Sequence, residues 1–254
     1  MKLTAAQIDQ FHVDGYLVVQ SMVPAAICEL MRTITEAHLQ AAVEPLEFEA
    51  EVGYPGAPAS LTSPGGRTVR RLRGAYRRHR CFDAWAEDPG VVTAVQQLLG
   101  EPVCLSLAHH NCVMTKHPEF GSATGWHRDM RYWSFERPDL VCVWLALGPE
   151  RADNGGLHFI PRSHRLQPEP DQLDALHFLR PEAPGNQALL RHAVPLTLRT
   201  GDVVFFHSGL FHSAGKNASA EIKCSIAFAY HGVSNPPLPG SRSASAGSIA
   251  LPLR

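Results

Sequence analysis

The C-terminal half of the chain is a succession of short apolar runs separated by turn residues. The runs begin after Glu101 and have the length and composition of β-strands. They cover residues 103–116, 125–132, 139–147, 156–161, 194–199, 202–207 and 221–231. Because many short strands with Gly/Pro turns close into sandwiches or barrels, the pattern predicts a mainly β fold with flanking helices. The 20 glycines and 20 prolines of the chain agree with this prediction.

The first hundred residues show helical patterns instead. The predicted elements are a helix after Thr4, a strand over 16–20, a helix from Pro24 to about Ala42 and a helix over 88–99. Thr4 and Gln7 form a capping-box pattern, and Gly15 is typical of a helix C-terminus. The second helix is expected to pack with one face, formed by Ile27, Leu30, Met31 and Ile34.

The domain organisation follows from these patterns. With 254 residues, the chain is long enough for one domain with additions. We predict a single domain over 1–231, with a mainly helical part over 1–100 and a β core over 101–231. The segment 164–193 is an insert in that core, and we expect the Pro/Ser/Gly-rich residues 232–254 to be a flexible tail.

Composition excludes several classes of protein. The net charge of −1 disfavours a nucleic-acid-binding protein. The longest purely apolar stretch, 140–147, is too short for a membrane span. Six cysteines without a CxxC pair disfavour a zinc ribbon and a disulfide scaffold. Together with the lack of a secretory signal, this predicts a cytoplasmic protein. The oligomeric state stays open.

The 14 histidines, against four lysines, direct attention to a metal site. His127 and Asp129 are two residues apart in a predicted strand, so their side chains share one face and can chelate one ion. An imidazole and a carboxylate are two of the three ligands in the facial triad of non-haem iron(II) oxygenases. The alternative is a surface histidine that forms a salt bridge with the aspartate.

A third histidine ligand is expected from a remote strand. His207 ends the apolar strand 202–207, and His212 follows after a short connection. The spacing alone does not choose between them, and either could be a hydrogen-bonded core histidine.

The last strand places one lysine in a row of small residues. Lys223, Ser225, Ala227, Ala229 and His231 alternate onto one face. An inward-facing ammonium with space beside it would be satisfied by a carboxylate ligand, since burial without a partner is costly. The alternative is a small-residue face that is exposed to solvent or covered by a helix.

The chain resembles the phytanoyl-CoA dioxygenase family of iron(II)/2-oxoglutarate oxygenases. The resemblance spans nearly the whole chain and rests on residues 11–16, 98–100, 110–116, 125–129, 137–140, 144, 154–157, 161–164 and 201–217. It implies a double-stranded β-helix (jelly roll, cupin-like) and a hydroxylase that uses Fe(II), 2-oxoglutarate and O₂. Succinate and CO₂ would be released, and the substrate would be a small organic molecule.

The resemblance also implies the metal ligands. They fall on His127, Asp129 and His212, which leaves His207 as a nearby or core histidine. Related halogenases have a small residue in place of the carboxylate, so Asp129 favours hydroxylation, with desaturation and epoxidation still open.

Four further residues correspond to cosubstrate contacts of the family. Trp144, Cys112 and Arg70 match positions near 2-oxoglutarate. Lys223 occupies the position of the arginine that holds the far carboxylate, and it supplies a point charge instead of a planar fork. Ala214 replaces a family serine, so one hydrogen bond to that carboxylate is missing unless Ser213 or Ser225 compensates.

Residues 67–80 contain seven arginines and no acid. The segment 43–66 before them is expected to be a mobile loop and contains four acids: Glu44, Glu47, Glu49 and Glu51. The arginines could form a solvated face, pair with these acids or recognise an anionic substrate. A nucleic-acid patch is disfavoured by the overall charge.

Three functions therefore stay open. The first is the iron/2-oxoglutarate hydroxylase, and the second is a non-catalytic cupin-like metal-binding or sensor protein, which the Lys223 and Ala214 departures keep open. The third is a zinc hydrolase, which is disfavoured because the sequence has no H-E-x-x-H motif.

Overall fold

The computed structural model describes residues 1–251. Its helices are α1 (Ala5–Asp14), α2 (Ala25–Gln40), α3 (Arg80–Ala86), α4 (Pro89–Leu99), α5 (Pro184–Leu190) and α6 (Arg242–Ala246). Its strands are β1 (Tyr16–Val19), β2 (Leu46–Phe48), β3 (Val69–Arg73), β4 (Val103–Lys116), β5 (Thr124–His127), β6 (Leu140–Ala146), β7 (Leu157–Phe159), β8 (Val194–Pro195), β9 (Val203–His207), β10 (His212–Ala214), β11 (Lys223–Gly232) and β12 (Ser248–Leu251). None of the helices among residues 1–251 has the length and apolar character needed to cross a bilayer.

The strands form two antiparallel sheets. The larger sheet has the order β1-β9-β6-β11-β4-β3-β2, and β12 pairs with β4. The smaller sheet has the order β5-β10-β7-β8. The prediction of a mainly β fold with flanking helices is confirmed. The N-terminal part is less purely helical than expected, because β1, β2 and β3 extend the larger sheet at its two edges.

The larger sheet lies between the helices and the smaller sheet. Alternate residues of β11 accordingly belong to the two cores on either side of it. Phe228 and Tyr230 pack with Val91 of α4 in the core on the helical side. Ala227 and Ala229, which alternate with them, belong to the core between the two sheets. Because these alanines are small, they leave space between the sheets on the face that β11 shares with Lys223.

The helix boundaries agree closely with the capping signals. Thr4 and Gln7 form the expected capping box, and Gly15 takes the left-handed conformation, with φ of 84°. The predicted packing face of α2 is correct for two of its four residues. Met31 is buried and Ile34 packs against the core, but Ile27 and Leu30 are 42% and 48% exposed, and Cys28 and Thr35 are buried instead of them. The helix can bury Thr35 because its hydroxyl donates to the carbonyl of Met31 at 2.8 Å.

A wide bulge interrupts β4. The consecutive residues Phe228 and Ala229 of β11 pair with Asn111 and Ser106 of β4, so residues 107–110 stand outside the ladder. Bulges redirect side chains, and they occur often beside functional sites. This bulge separates the part of β4 that pairs with β12 from the part that pairs with β3.

The C-terminal segment differs from the flexible tail expected over 232–254. It forms α6 and then β12, and Leu251 is buried against the core. The hydroxyl of Ser243 accepts a hydrogen bond from the backbone of Ser134 at 3.0 Å, which ties α6 to the domain. Composition did not reveal this strand because its partner, β4, is remote in sequence. Residues 252–254 lie outside the described part of the chain.

Gly201 lies in the turn that precedes β9, and a substitution there tests how tightly this turn is packed. Its φ is +86°, and a Cβ there would lie 2.1 Å from the carbonyl oxygen of Val23. We expect Gly201→Ala to lower the free energy of unfolding by at least about 2 kcal/mol, because both strain and overlap arise. Gly148 is a matched control with open space around it, and Gly148→Ala should change stability by less than about 0.5 kcal/mol. Urea unfolding measures both, and equal losses would contradict the account.

Candidate metal centre and cosubstrate cavity

The structure brings His127, Asp129 and His212 together at one end of the smaller sheet. His127 is the last residue of β5, and it pairs with His212, the first residue of β10. Asp129 begins the 3₁₀ turn Asp129–Tyr132. The expectation of one strand over 125–132 is therefore wrong. A turn, and not the alternation of a strand, carries the carboxylate back beside the two imidazoles.

Backbone carbonyls orient both imidazoles. Nδ1 of His127 lies 2.8 Å from the carbonyl oxygen of Gly125, and Nδ1 of His212 lies 3.0 Å from that of Leu210. Because a carbonyl oxygen only accepts, the neutral form of each ring has its proton on Nδ1 and its lone pair at Nε2. The two Nε2 atoms lie 3.6 and 3.5 Å from Oδ1 of Asp129.

Asp129 is a buried carboxylate whose Oδ1 makes no hydrogen bond within the described chain. Burial alone would raise its pKa, but His110 and His212 hold the pKa well below the usual range. Burial and the neighbouring His212 lower the pKa of His127 to about 4, so that ring is neutral. Burial would lower the pKa of His212, but the Asp129 carboxylate raises it above the usual value, so a bound cation would replace a proton on this ring. One carboxylate oxygen and two imidazole nitrogens, all within 4.8 Å, fit the donor set of a divalent iron ion.

His207 lies outside this cluster. Its Nε2 is 3.6 Å from Asp139, and its Nδ1 accepts a hydrogen bond from the backbone of Gly209 at 2.9 Å. Of the two histidines that the spacing left open, the structure places His212 with His127 and Asp129.

Two buried side chains behind Asp129 were missed by the sequence analysis. Cys142 of β6 donates to Oδ2 of Asp129 at 3.3 Å, and Nδ1 of His110 lies 3.4 Å from the same oxygen. His110 reaches this position from the bulge in β4. Periodicity could not have identified it, because the bulge breaks the alternation of the strand.

A cavity extends from the three candidate ligands into the space between the sheets. Arg70, Trp144 and Lys223, three of the four residues predicted to contact the cosubstrate, line it, and their contact with 2-oxoglutarate stays a prediction. Cys112 is not among the residues that line it, whereas Met114 on the same strand is. The thiol of Cys112 is buried, which raises its pKa to about 11, and it donates to the sulfur of Met114 at 3.5 Å.

Lys223 has a carboxylate partner that the sequence analysis missed. Its Nζ lies 3.2 Å from Oε2 of Glu150 and 3.0 Å from the hydroxyl of Ser225. Glu150 also accepts from Ser225 at 2.6 Å and from Nε1 of Trp144 at 2.9 Å. Glu150 stands 73 residues away in sequence, in a connection without a recognisable motif. The role of Lys223 as the cosubstrate anchor stays a prediction.

The arginine segment pairs with acids, as one of its interpretations predicted. Arg70 Nη1 lies 3.2 Å from Glu49, and Arg71 Nε lies 3.4 Å from Glu47. All four side chains are buried, so the interpretation as a solvated face is wrong for this part of the segment. Part of the segment 43–66, which was expected to be a mobile loop, has regular structure. Glu47 lies in β2, and Glu49 begins a 3₁₀ turn.

Aromatic side chains surround the candidate metal centre on its outer side. The hydroxyls of Tyr54 and Tyr132 are 3.0 Å apart, and the Phe178 ring lies 5.4 Å from that of His127. The guanidinium of Arg131 stacks over the Phe178 ring at 4.2 Å, and its Nη1 has no hydrogen-bond partner within residues 1–251. This group can orient a planar or anionic molecule beside the imidazoles.

Solved structures share this fold. The structure of EctD from S. alaskensis with bound Fe aligns over 99% of this chain and 87% of that one, at 20% identity with a TM-score of 0.79. The epimerase SnoN from nogalamycin biosynthesis aligns over 93% of this chain and 86% of that one, at 24% identity with a TM-score of 0.72. The predicted double-stranded β-helix, or jelly roll, is thereby confirmed.

Sequence comparisons identify the family. L-proline trans-4-hydroxylase of Streptomyces griseoviridis is 28% identical over 71% of this chain and 74% of its own. Ectoine dioxygenase of Halomonas elongata is 25% identical over 90% of this chain and 70% of its own. The human peroxisomal phytanoyl-CoA dioxygenase is 24% identical over 88% of this chain and 67% of its own. The family model for phytanoyl-CoA dioxygenase (PhyH) matches residues 11–225. The chain therefore belongs to the phytanoyl-CoA dioxygenase family of iron(II)- and 2-oxoglutarate-dependent oxygenases.

Proposed function

We propose that this protein hydroxylates a small organic molecule, using Fe(II), 2-oxoglutarate and O₂, with release of succinate and CO₂. The observation that carries the proposal is the convergence of His127, Asp129 and His212 at the mouth of a buried, cation-lined cavity, in a member of this oxygenase family. The iron would supply the oxidising chemistry, and the protein would supply orientation and exclusion of water.

The chain's own residues divide this task. His127 and His212 would bind the metal through Nε2, since backbone carbonyls fix both rings. Asp129 would bind through Oδ1, while Cys142 occupies Oδ2 and so sets the orientation of the carboxylate. The cavity behind them would receive 2-oxoglutarate, with its far carboxylate at the end lined by lysines. Trp144 would form part of the wall.

An anionic substrate is supported by the outer side of the site. Arg131 makes no ion pair with an acid within residues 1–251. Its guanidinium lies over the rings of Tyr132 and Phe178, and the Phe178 ring lies 5.4 Å from that of His127. An arginine held in this way is suited to a carboxylate or phosphate. We therefore propose a small anionic substrate with its charged group at Arg131.

The hydroxylase proposal predicts turnover that depends on Asp129. Anaerobic addition of Fe(II) and 2-oxoglutarate should produce the weak visible charge-transfer band of the chelate, and air with a suitable substrate should yield succinate. In Asp129→Ala both signals should be lost, because the site loses its only carboxylate ligand. A wild-type protein with neither band nor succinate would contradict the proposal and favour a non-catalytic metal-binding protein.

The ligand set predicts different results for two neighbouring histidines. His212→Ala should weaken Mn(II) binding by more than about 100-fold, because even partners of ligands cost 10–100-fold when removed. His207→Ala is the matched control and should leave Mn(II) affinity within about twofold of wild type. Titration followed by electron paramagnetic resonance measures both. The opposite order of effects would place the third ligand at His207.

The substrate proposal predicts a role for Arg131 in affinity. With a substrate found by screening small carboxylates and phosphates for stimulated succinate release, Arg131→Met should raise KM by about 30-fold with a smaller change in kcat, as expected for loss of a charged contact. Arg128, which packs over Phe211 instead, is the control, and Arg128→Met should leave KM unchanged. An unchanged KM in Arg131→Met would remove Arg131 from the substrate site.

A further inference from the structure

Tyr54, Tyr132, Phe178 and Arg131 form a chamber on the outer side of the candidate metal centre, here called the outer chamber. The rings of Tyr132 and Phe178 lie 5.9 and 5.4 Å from that of His127. The hydroxyl of Tyr54 lies 3.0 Å from that of Tyr132, and the Tyr54 ring meets the Phe178 ring edge to face at 5.5 Å. A substrate whose charged group lies at Arg131 therefore contacts these rings.

Aromatic rings can bind a cationic ligand, but only where a ring face is free to receive it. In the outer chamber, guanidinium groups already lie over the rings. Arg70 lies 4.7 Å from the centre of the Tyr54 ring, and Arg131 lies 4.2 Å from that of Phe178 and 5.0 Å from that of Tyr132. An ammonium group on a substrate would thus compete with cations that the protein itself supplies.

His109 covers the Tyr132 ring as well. The two rings are stacked, with 3.7 Å between their centres and 19° between their planes. His109 stands in the bulge of β4 with a φ of 56°, and its Nε2 has no hydrogen-bond partner within residues 1–251. Burial lowers the pKa of His109 well below the usual value, so the ring is neutral. It can form a hydrogen bond with a substrate, but it has no negative charge to balance an ammonium group.

The acids that contact the neighbouring arginines are already paired. Glu49 pairs with Arg70 and Glu47 pairs with Arg71, and all four side chains are buried. Separating one of these acids from its arginine to receive a substrate ammonium would leave a buried guanidinium without its partner, which is costly. These two acids are therefore unsuited to bind a cationic group.

Two further acids near the outer chamber are also engaged. Asp129 is a candidate metal ligand, and Oδ1 of Asp174 accepts a hydrogen bond from the backbone N–H of Phe178 at 2.9 Å. Arg131 forms no ion pair within the described chain, so its charge stays unbalanced until an anion binds. A buried ammonium group in this environment would face a like charge without a carboxylate partner, which is unfavourable.

We infer that the substrate is an acid without an amino group beside its charged group, such as an unsubstituted or hydroxylated carboxylic acid, and is not an α-amino acid. The inference rests on the proposed function, which places the charged group of the substrate at Arg131, and it specifies the substrate class. In an α-amino acid the ammonium is one carbon away from the carboxylate, so it would lie against the same guanidinium and rings. A hydrogen atom or a hydroxyl at that carbon brings no charge into the outer chamber.

The test compares ligands that share a carbon skeleton. Hexanoate, (S)-2-hydroxyhexanoate and L-norleucine differ only in the substituent beside the carboxylate, and cyclopentanecarboxylate and L-proline form a second matched set. Broadening of the ligand proton resonances by full-length protein loaded with Mn(II) and 2-oxoglutarate gives the Kd beside the metal without turnover. Asp129→Ala, treated in the same way, gives the background. In the wild type, each amino acid should have a Kd at least about tenfold higher than its uncharged counterparts, because juxtaposed like charges are strongly disfavoured.

Two variants at one position test whether the outer chamber causes this preference. Asn and Asp both tolerate the positive φ of position 109 and differ in charge. His109→Asp adds a carboxylate beside Tyr132 and should reduce the preference against the amino acids to about threefold or less. His109→Asn is the matched control and should keep it. The wild-type comparison tests the inference independently if either variant fails to fold.

The outcomes distinguish the inference from the function on which it rests. If no carboxylate binds beside the metal in the wild type, the proposed anionic substrate is wrong and the inference fails with it. If the uncharged acids bind and Arg131→Met weakens them, but the amino acids bind equally well in the wild type, the proposed function stands and the inference is overturned. An equal preference in His109→Asp and His109→Asn would also overturn it, since the discrimination would then arise outside the outer chamber.

Discussion

The buried carboxylate of Asp129 is the constraint around which the rest of the site is arranged. Taking an ionised carboxylate out of water costs several kcal/mol, so its oxygens need partners. Cys142 supplies a partner for Oδ2, while Oδ1 faces the imidazoles of His127 and His212 without a hydrogen bond. The fold can hold this arrangement because His127 of β5 and His212 of β10 are directly paired residues of one sheet. A divalent cation would satisfy all three side chains together.

A second constraint is the concentration of charge between two β-sheets. Buried ion pairs contribute little net stability, since desolvation offsets their attraction. The proposed binding of 2-oxoglutarate between the sheets gives a reason for their number. Glu49 pairs with Arg70, Glu47 with Arg71 and Arg73, and Glu150 with Lys223, so the walls of the cavity are polar and most of their charge is balanced.

Much of the fold and part of the site could be predicted from the sequence. Turn residues and apolar runs revealed most strands, and capping residues located α1. Family resemblance favoured His212 over His207, and the structure places His212 beside His127 and Asp129. The predicted packing face of α2 was correct for Met31 and Ile34 and wrong for Ile27 and Leu30, because apolar residues at helical spacing do not show how far the buried face extends around the helix. Glu150 and His110 were missed, since the folded chain brings Glu150 to a lysine 73 residues away and a bulge brings His110 to Asp129.

The most direct test of the account is the position of the metal and cosubstrate. Crystals grown anaerobically with Fe(II) and 2-oxoglutarate would give an anomalous difference map at the iron absorption edge. The account predicts one strong peak bounded by His127, Asp129 and His212, and density for 2-oxoglutarate in the cavity beside it. A peak at the alternative buried cluster of His110, Asp129 and Cys142, or the absence of a peak at either cluster, would contradict it.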